Sequence, residues 1–212
     1  MTKAPISLQD LRRRIYRKAK SDKTHRFWGL FVHVAKPETL LAAYRQAKRN
    51  GGAPGIDGQS FAAIEAEGLA VFLEGLRDDL QTGRYQPQPN RRVDIPKDNG
   101  KVRTLQITCI RDRVVQGALK LILESIFEAD FCPNSYGFRP KRSPHSALAA
   151  VRRSVLRRMS TVIDVDLTRY FDNIQHSVLL AQIAKRVIGV RLSISGRLSD
   201  ALGGYPYCSS KP

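Results

Sequence analysis

Apolar side chains recur at helical spacing through the first ~50 residues of the chain. Leu8, Leu11 and Ile15 keep a three-to-four rhythm, and Leu40, Leu41 and Tyr44 take it up again behind Pro37-Glu38-Thr39, predicting two helices. The stretch Gly51 to Gly58 is built from residues that break both helix and strand, and predicts a loop. Beyond it Phe61, Ile64, Leu69, Phe72, Leu73, Leu76 and Leu80 mark one amphipathic helix stopped near Gly83. The period then changes to two. Val93 to Ile95 and Val102 to Ile107 predict short strands, and Lys97-Asp98-Asn99-Gly100-Lys101 between them supplies the turn of a β-hairpin with a basic rim.

Helical spacing returns behind Asp112, a predicted cap, at Val115, Leu119, Ile122 and Ile126. The segment Phe131 to Lys141 has no period and mixes aromatic with basic residues. Ser143-Pro144 reads as a helix start with proline in the first helical position, followed by Ala147, Leu148, Val151 and Val155. Thr161 to Leu167 is β-rich and predicts a strand, and a further helix runs from about His176 through Leu179, Leu180 and Ile183. Helices and strands do not alternate regularly, which predicts an α+β fold rather than a doubly wound sheet.

Composition narrows the choice of partner. The 212 residues are 42% hydrophobic, enough for a real core, and carry 36 Lys+Arg against 19 Asp+Glu, a formal charge of +17. Such an excess predicts a polyanionic partner, nucleic acid first and an anionic membrane surface as the alternative, because each neutralised phosphate releases condensed counterions. The charge lies in four runs: Arg12 to Lys18, Arg91-Arg92, Arg139 to Arg142, and Arg152 to Arg158. One such run reads as a solvated helix face. Four of them between apolar-periodic segments read as an extended basic groove for RNA or DNA. No apolar run approaches the ~18 residues of a spanning helix, and no apolar segment follows a basic start, so neither a membrane span nor a secretory signal is expected. Cys109, Cys132 and Cys208 are odd in number and widely spaced, which suits a reducing cytoplasm and gives no metal cluster.

The candidate chemistry lies in Val162 to Ile174. Strand alternation puts Asp164 and Asp166 on one face and Ile163, Val165 and Leu167 on the other. A strand-end carboxylate is costly to half-bury without a cation on it. Beside a basic groove it suits two-metal phosphoryl transfer, where hard Mg²⁺ takes oxygen ligands. The plainer reading of Asp164 and Asp172 is an ion pair with an arginine or a cap on the next helix.

The stretch resembles the first palm motif of reverse transcriptases, in which an Asp is followed five residues later by an aromatic. Three further segments resemble motifs of the group II intron-encoded branch. Ser135-Tyr136-Gly137-Phe138-Arg139-Pro140-Lys141-Arg142-Ser143 matches its fingers motif nearly letter for letter. Gly52-Ala53-Pro54-Gly55-Ile56-Asp57-Gly58 matches its extra N-terminal motif. Ile95-Pro96-Lys97, Gly100-Lys101-Val102-Arg103 and Arg111 to Gln116 match its first fingers motif, with Leu105-Gln106-Ile107-Thr108-Cys109 departing from the usual Leu-Gly-Ile-Pro-like turn. The resemblance covers about residues 8 to 187.

It implies a right-hand polymerase, with a helical N-terminal extension over 1–50, fingers over 51–160, the start of a palm over 161–187 and a divergent tail over 188–212. It also implies RNA-directed DNA synthesis with Mg²⁺, on an RNA template or intron RNA, from deoxynucleoside triphosphates. Asp166 would hold the metal, with the backbone carbonyl of Leu167 as a further ligand. Lys97 and Arg103 would contact the triphosphate, with plain surface solubility as the alternative, and Phe171 the sugar, with core packing as the alternative. Arg139, Lys141, Arg142 and the loop at Gly55 would touch the nucleic acid, while Tyr136 and Phe138 read as packing residues of their loop, with base stacking as the alternative. The family's Tyr-x-Asp-Asp hairpin has no counterpart in these residues; Asp78-Asp79, the one Asp-Asp pair, reads as a surface pair. The Ser- and Gly-rich stretch after residue 187 reads as a tail left by a frameshift or deletion. The chain alone is therefore expected to bind RNA without synthesis.

Overall fold

The computed structural model describes residues 6–96, 102–168 and 170–188, with Arg103 and Asp172 described in their backbone alone. Helix α1 (Leu8–Ser21) is capped by Ser7, whose hydroxyl accepts from the Asp10 N–H. A short helix α2 (Leu30–Val34), too brief to leave a period in the sequence, leads to α3 (Pro37–Arg49), which starts on Pro37 itself rather than behind Thr39 as expected. The single helix expected over 61–80 is two: α4 (Phe61–Glu67) and α5 (Leu69–Thr82). Gly68 breaks it by taking φ 112°, a conformation that no side-chain-bearing residue adopts readily. Gly83, in the left-handed region, closes α5 where the sequence places the stop.

The hairpin forms as predicted, with β1 (Arg91–Pro96) antiparallel to β2 (Val102–Ile107) and Ile95 opposite Arg103. It is the one sheet among the described residues, so the fold is mostly helical with a small β element. Next comes α6 (Ile110–Phe127), the axis of the core. Ile110, Val114, Ala118, Ile122 and Ile126 along it are all fully buried, against α1, α2 and α3. At Gly117 the absent side chain lets α3 close in: a Cβ there would lie 3.2 Å from that of Ala43. Cys109 stands at the N-cap position of α6 without a side-chain cap, and Asp112, the expected cap, lies inside the first turn, where it has a buried task described below.

Helix α7 (Pro144–Leu156) begins with a capping box between Ser143 and Ser146, and α8 (His176–Ala184) follows a 3₁₀ turn at Phe171–Asn173. One apolar cluster joins Ile15 and Ala19 of α1, Leu40 and Tyr44 of α3, Leu73 to Leu80 of α5, the α6 stripe and Val187. The N-terminal helices thus share the core of the segments that follow them. No helix among the described residues is long and apolar enough to cross a membrane.

Candidate functional site

The strand expected over 161–167 has no ladder partner among the described residues, so its backbone takes no regular assignment. A strand exists only through the hydrogen bonds of its neighbours, and a β-rich sequence cannot supply those by itself. Its apolar residues stand in solvent, Val162 at 87% and Ile163 at 84% exposure. Asp164 and Asp166 are exposed beside them. Phe171 is 78% exposed and meets Tyr170 edge-on, with ring centroids 5.4 Å apart, so it belongs to no core here. Asn173 ties the turn by donating to the Thr168 carbonyl at 3.1 Å. Lys97 and the Arg103 side chain, the two expected triphosphate contacts, lie outside the described residues.

The basic loop before α7 divides its labour in a way the sequence does not show. The Arg139 side chain is only 6% exposed. Its guanidinium donates to Glu128 at 2.7 Å and to the carbonyls of Cys132 and Ser135 at 2.6 and 2.8 Å, and it lies over the Phe131 ring. Most of the arginine's planar fork is thus engaged in folding its own loop. Lys141 remains exposed, and Arg142, partly exposed, lies 5.4 Å over the Tyr136 ring. Phe138 and Lys141 have φ of 54° and 59°, and Phe138 is fully exposed rather than packed. A bulky residue in the left-handed region costs of order 1–3 kcal/mol and marks a loop held in shape by its surroundings.

The glycine loop is likewise a packing device. Gly55 is buried, and a Cβ there would come within 2.6 Å of the Cys109 Cα. The absent side chain at Gly55, read from the sequence as a contact to nucleic acid, serves close approach to the start of α6. Exposed Ile56 and Asp57 form the face that the loop presents. Burial pushes the Cys109 thiol up from its usual pKa range, and the neighbouring Asp57 carboxylate adds to the effect. Arg113 supports the other arm of the loop through the Ala53 carbonyl. A Gly55→Ala substitution is expected to lower stability by roughly 1–3 kcal/mol, since backbone atoms of Cys109 have to move. An unchanged urea midpoint would show that the loop does not seat on α6.

The run Arg12 to Lys18 is also sorted by the fold. Arg12 turns inward to Glu124 at 2.8 Å, while Arg13, Arg14, Arg17 and Lys20 are exposed along the outer side of α1. Arg13 meets Asp10 loosely at 3.6 Å, and Lys18 pairs with Asp22.

One buried and one half-buried polar grouping beside α5 and α6 escape a sequence reading. The Asp112 carboxylate accepts from the Tyr85 hydroxyl at 2.6 Å and from the Gln88 N–H at 3.0 Å. Asp79, expected as half of a surface pair, is partly buried and receives Arg111 at 2.8 Å. Asp79 reads from its spacing as solvent-facing and Asp112 as a cap, and only their distant partners reveal the role. Among the described residues no group of three His, Cys, Asp or Glu comes together to hold a metal.

A family model for the reverse transcriptase (RNA-dependent DNA polymerase) matches residues 95–201, running past residue 187 into the stretch expected to diverge. The chain is 40% identical to Protein YkfC of Escherichia coli over 190 residues, 87% of this chain and 50% of that protein. It is 32% identical to the group II intron-encoded protein LtrA of Lactococcus lactis, over 85% of this chain and 30% of LtrA. Against the nuclear intron maturase 1 of Arabidopsis thaliana mitochondria the identity is 35% over 107 residues, 42% of this chain and 15% of the maturase. The chain thus spans half the length of the first of these relatives and less of the others.

Proposed function

The chain belongs to the reverse transcriptase family, in its group II intron-encoded branch, and from that premise we propose that these 212 residues bind RNA while carrying the fingers and the first palm carboxylate of an RNA-directed DNA polymerase. The observation that carries the proposal is the outer side of α1, where Arg13, Arg14, Arg17 and Lys20 stand exposed on a helix whose other side is buried in the shared core. A rigid helix presenting cations is suited to phosphate contacts, which position a nucleic acid without reading its sequence. Lys141 and Arg142 extend the surface at the strained loop, and the Ile56-Asp57 tip of the glycine loop approaches the template. Tyr136 and Phe138 flank that basic loop, and the exposed Phe138 ring is available to stack on a base. The odd count and wide spacing of Cys109, Cys132 and Cys208 fit a reducing cytoplasm.

In the polymerase reading, Asp166 and the Leu167 carbonyl would hold a magnesium ion. Their chemistry fits it, since Mg²⁺ takes oxygen donors, accepts one or two carboxylates and keeps several waters. The bound ion supplies Lewis-acid stabilisation of the transferring phosphoryl group. Lys97 and Arg103 on the hairpin would neutralise the triphosphate of a deoxynucleotide, the lysine as a point charge and the arginine as a fork. Phe171 would pack under the sugar. An in-line displacement between two ions needs carboxylates from a second strand, and the 212 residues contain no Tyr-x-Asp-Asp to provide them. We therefore expect these residues alone to bind RNA and to synthesise no DNA.

Fluorescence anisotropy with a labelled RNA hairpin tests the binding. Affinity should fall steeply with salt, and the Arg14→Glu/Arg17→Glu pair should lower the salt slope by about one for each phosphate no longer neutralised. Equal affinity in that variant would sink α1 as the interface. Primer extension on poly(rA)/oligo(dT) with Mg²⁺ tests the rest. No product is expected, and synthesis that disappears in Asp166→Ala would overturn that expectation.

A further inference from the structure

Asp112 and Arg186 are the two charged residues buried among those described, and Arg186 sits in no motif singled out by the sequence. It follows α8, and its guanidinium reaches back to the end of α1. One terminal nitrogen donates to the carbonyls of Asp22, Lys23 and His25 at 3.2, 2.6 and 2.9 Å, and the other to that of Ala19 at 3.1 Å. The Ala19 carbonyl is one of the last-turn groups that α1 leaves without a helical partner. Nε lies 2.9 Å from the Asp130 carboxylate, close enough to pair in charge though not aligned as a hydrogen bond. The Phe27 ring lies 6.0 Å from the guanidinium carbon.

Backbone pairing joins the same two segments. The Phe27 N–H donates to the Arg186 carbonyl at 2.7 Å, and the Ile188 N–H to that of Phe27 at 2.6 Å, making a parallel bridge between Phe27 and Val187. Arg26 donates to the Ala184 carbonyl at 3.0 Å. From the other side Lys23 binds Asp130 and the Ala129 carbonyl, so the turn after α6 enters the node as well. A turn with this many carbonyls and little regular structure of its own is shaped by the cation that it encloses.

The node has one helix on each side. On one side is α1, with its outward cations. On the other is α8, which follows Asp166 and Phe171 in the chain. We propose that Arg186 couples RNA occupancy of α1 to the placement of α8, so that RNA held at the N-terminal helix orders the segment leading from the palm carboxylate. The proposal rests on the RNA-binding reading above. Its physical basis is that the four acceptor carbonyls belong to the end of α1 and the turn behind it. A ligand that stiffens α1 therefore stiffens the seat of Arg186, and by linkage a seated Arg186 favours the ligand. Arg186→Lys keeps the charge but offers one nitrogen where the fork uses two, so it weakens the link without leaving Asp130 uncompensated.

Hydrogen exchange on the full chain, with and without an RNA hairpin, reads the coupling. RNA should slow exchange in α1 and also across 176–188, there by about fivefold, the low end of ordinary allosteric coupling. In Arg186→Lys the protection of α1 should persist and that of 176–188 should be lost. Protection of α1 alone in the unaltered chain overturns the proposal even if the variant does not fold. Equal protection of 176–188 in both chains overturns it too, by showing that RNA reaches α8 by another route. If anisotropy detects no RNA binding at all, the RNA-binding reading fails first, and the coupling with it.

Discussion

Replacing Arg186 by alanine is expected to destabilise the chain by about 3–5 kcal/mol, since several hydrogen bonds from a buried charged donor, each worth about 1.5–3 kcal/mol, are lost together. The substitution strips donors from the carbonyls of Ala19, Asp22, Lys23 and His25 and leaves Asp130 with Lys23 alone. It also removes the cation that holds residues 186–188 against Phe27. For a chain of this size the loss corresponds to a fall in Tm on the order of 10 °C. Thermal unfolding followed by circular dichroism is the check. A shift of a degree or two would mean that water satisfies those carbonyls as well as the guanidinium does. Asp130→Asn should cost less, since it keeps an acceptor and removes only charge.

The second large effect is expected at Asp112. Asp112→Ala leaves the buried Tyr85 hydroxyl without an acceptor, at about 1–3 kcal/mol, and releases the N–H of the exposed Gln88 to water at a smaller cost. Tyr85→Phe strands only one carboxylate oxygen and should cost less. The double variant should be less unstable than the sum of the two, because each single change leaves the other partner unpaired. The pair also sets an alkaline limit. Burial first, then the Asp112 hydrogen bond and charge, push the Tyr85 pKa up. The unfolded tyrosine ionises near pH 10 while the folded one still holds its proton, so stability is full below that pH and declines as pH rises above it. Tyr85→Phe should flatten the decline. Urea midpoints measured between neutral and alkaline pH decide it, and an equal decline in Tyr85→Phe would assign the limit to other groups.

These two sites show where a linear reading stops. The helix start at Ser143-Pro144, the β1–β2 hairpin and the apolar stripe of α6 all follow from spacing and caps, which act over a few residues. The break at Gly68 is hidden because the apolar stripe runs straight through it. Residues 161–167 keep their β-rich sequence yet form no strand among the described residues, because pairing depends on a neighbour and not on composition. The site divides the same way. Asp166 and Phe171 are named by a motif and found exposed, whereas the sequence carries no sign that Arg139 folds its own loop or that Gly55 is a seat for Cys109.

By itself the sequence determined the reverse transcriptase family, the helical elements and the charge that calls for a polyanion. Local periodicity, motif order and net charge are properties of a chain before it folds. Only the tertiary structure decided which cations face outward. Arg12 and Arg14 look alike in sequence, as do Arg139 and Arg142, and one of each pair is drawn inward by a carboxylate on another segment. Arg186 is the extreme case, since the carbonyls that accept from it lie 161 to 167 residues earlier in the chain. A guanidinium can be buried only where carbonyls and a carboxylate converge to replace its water, and that convergence exists nowhere but in the folded chain.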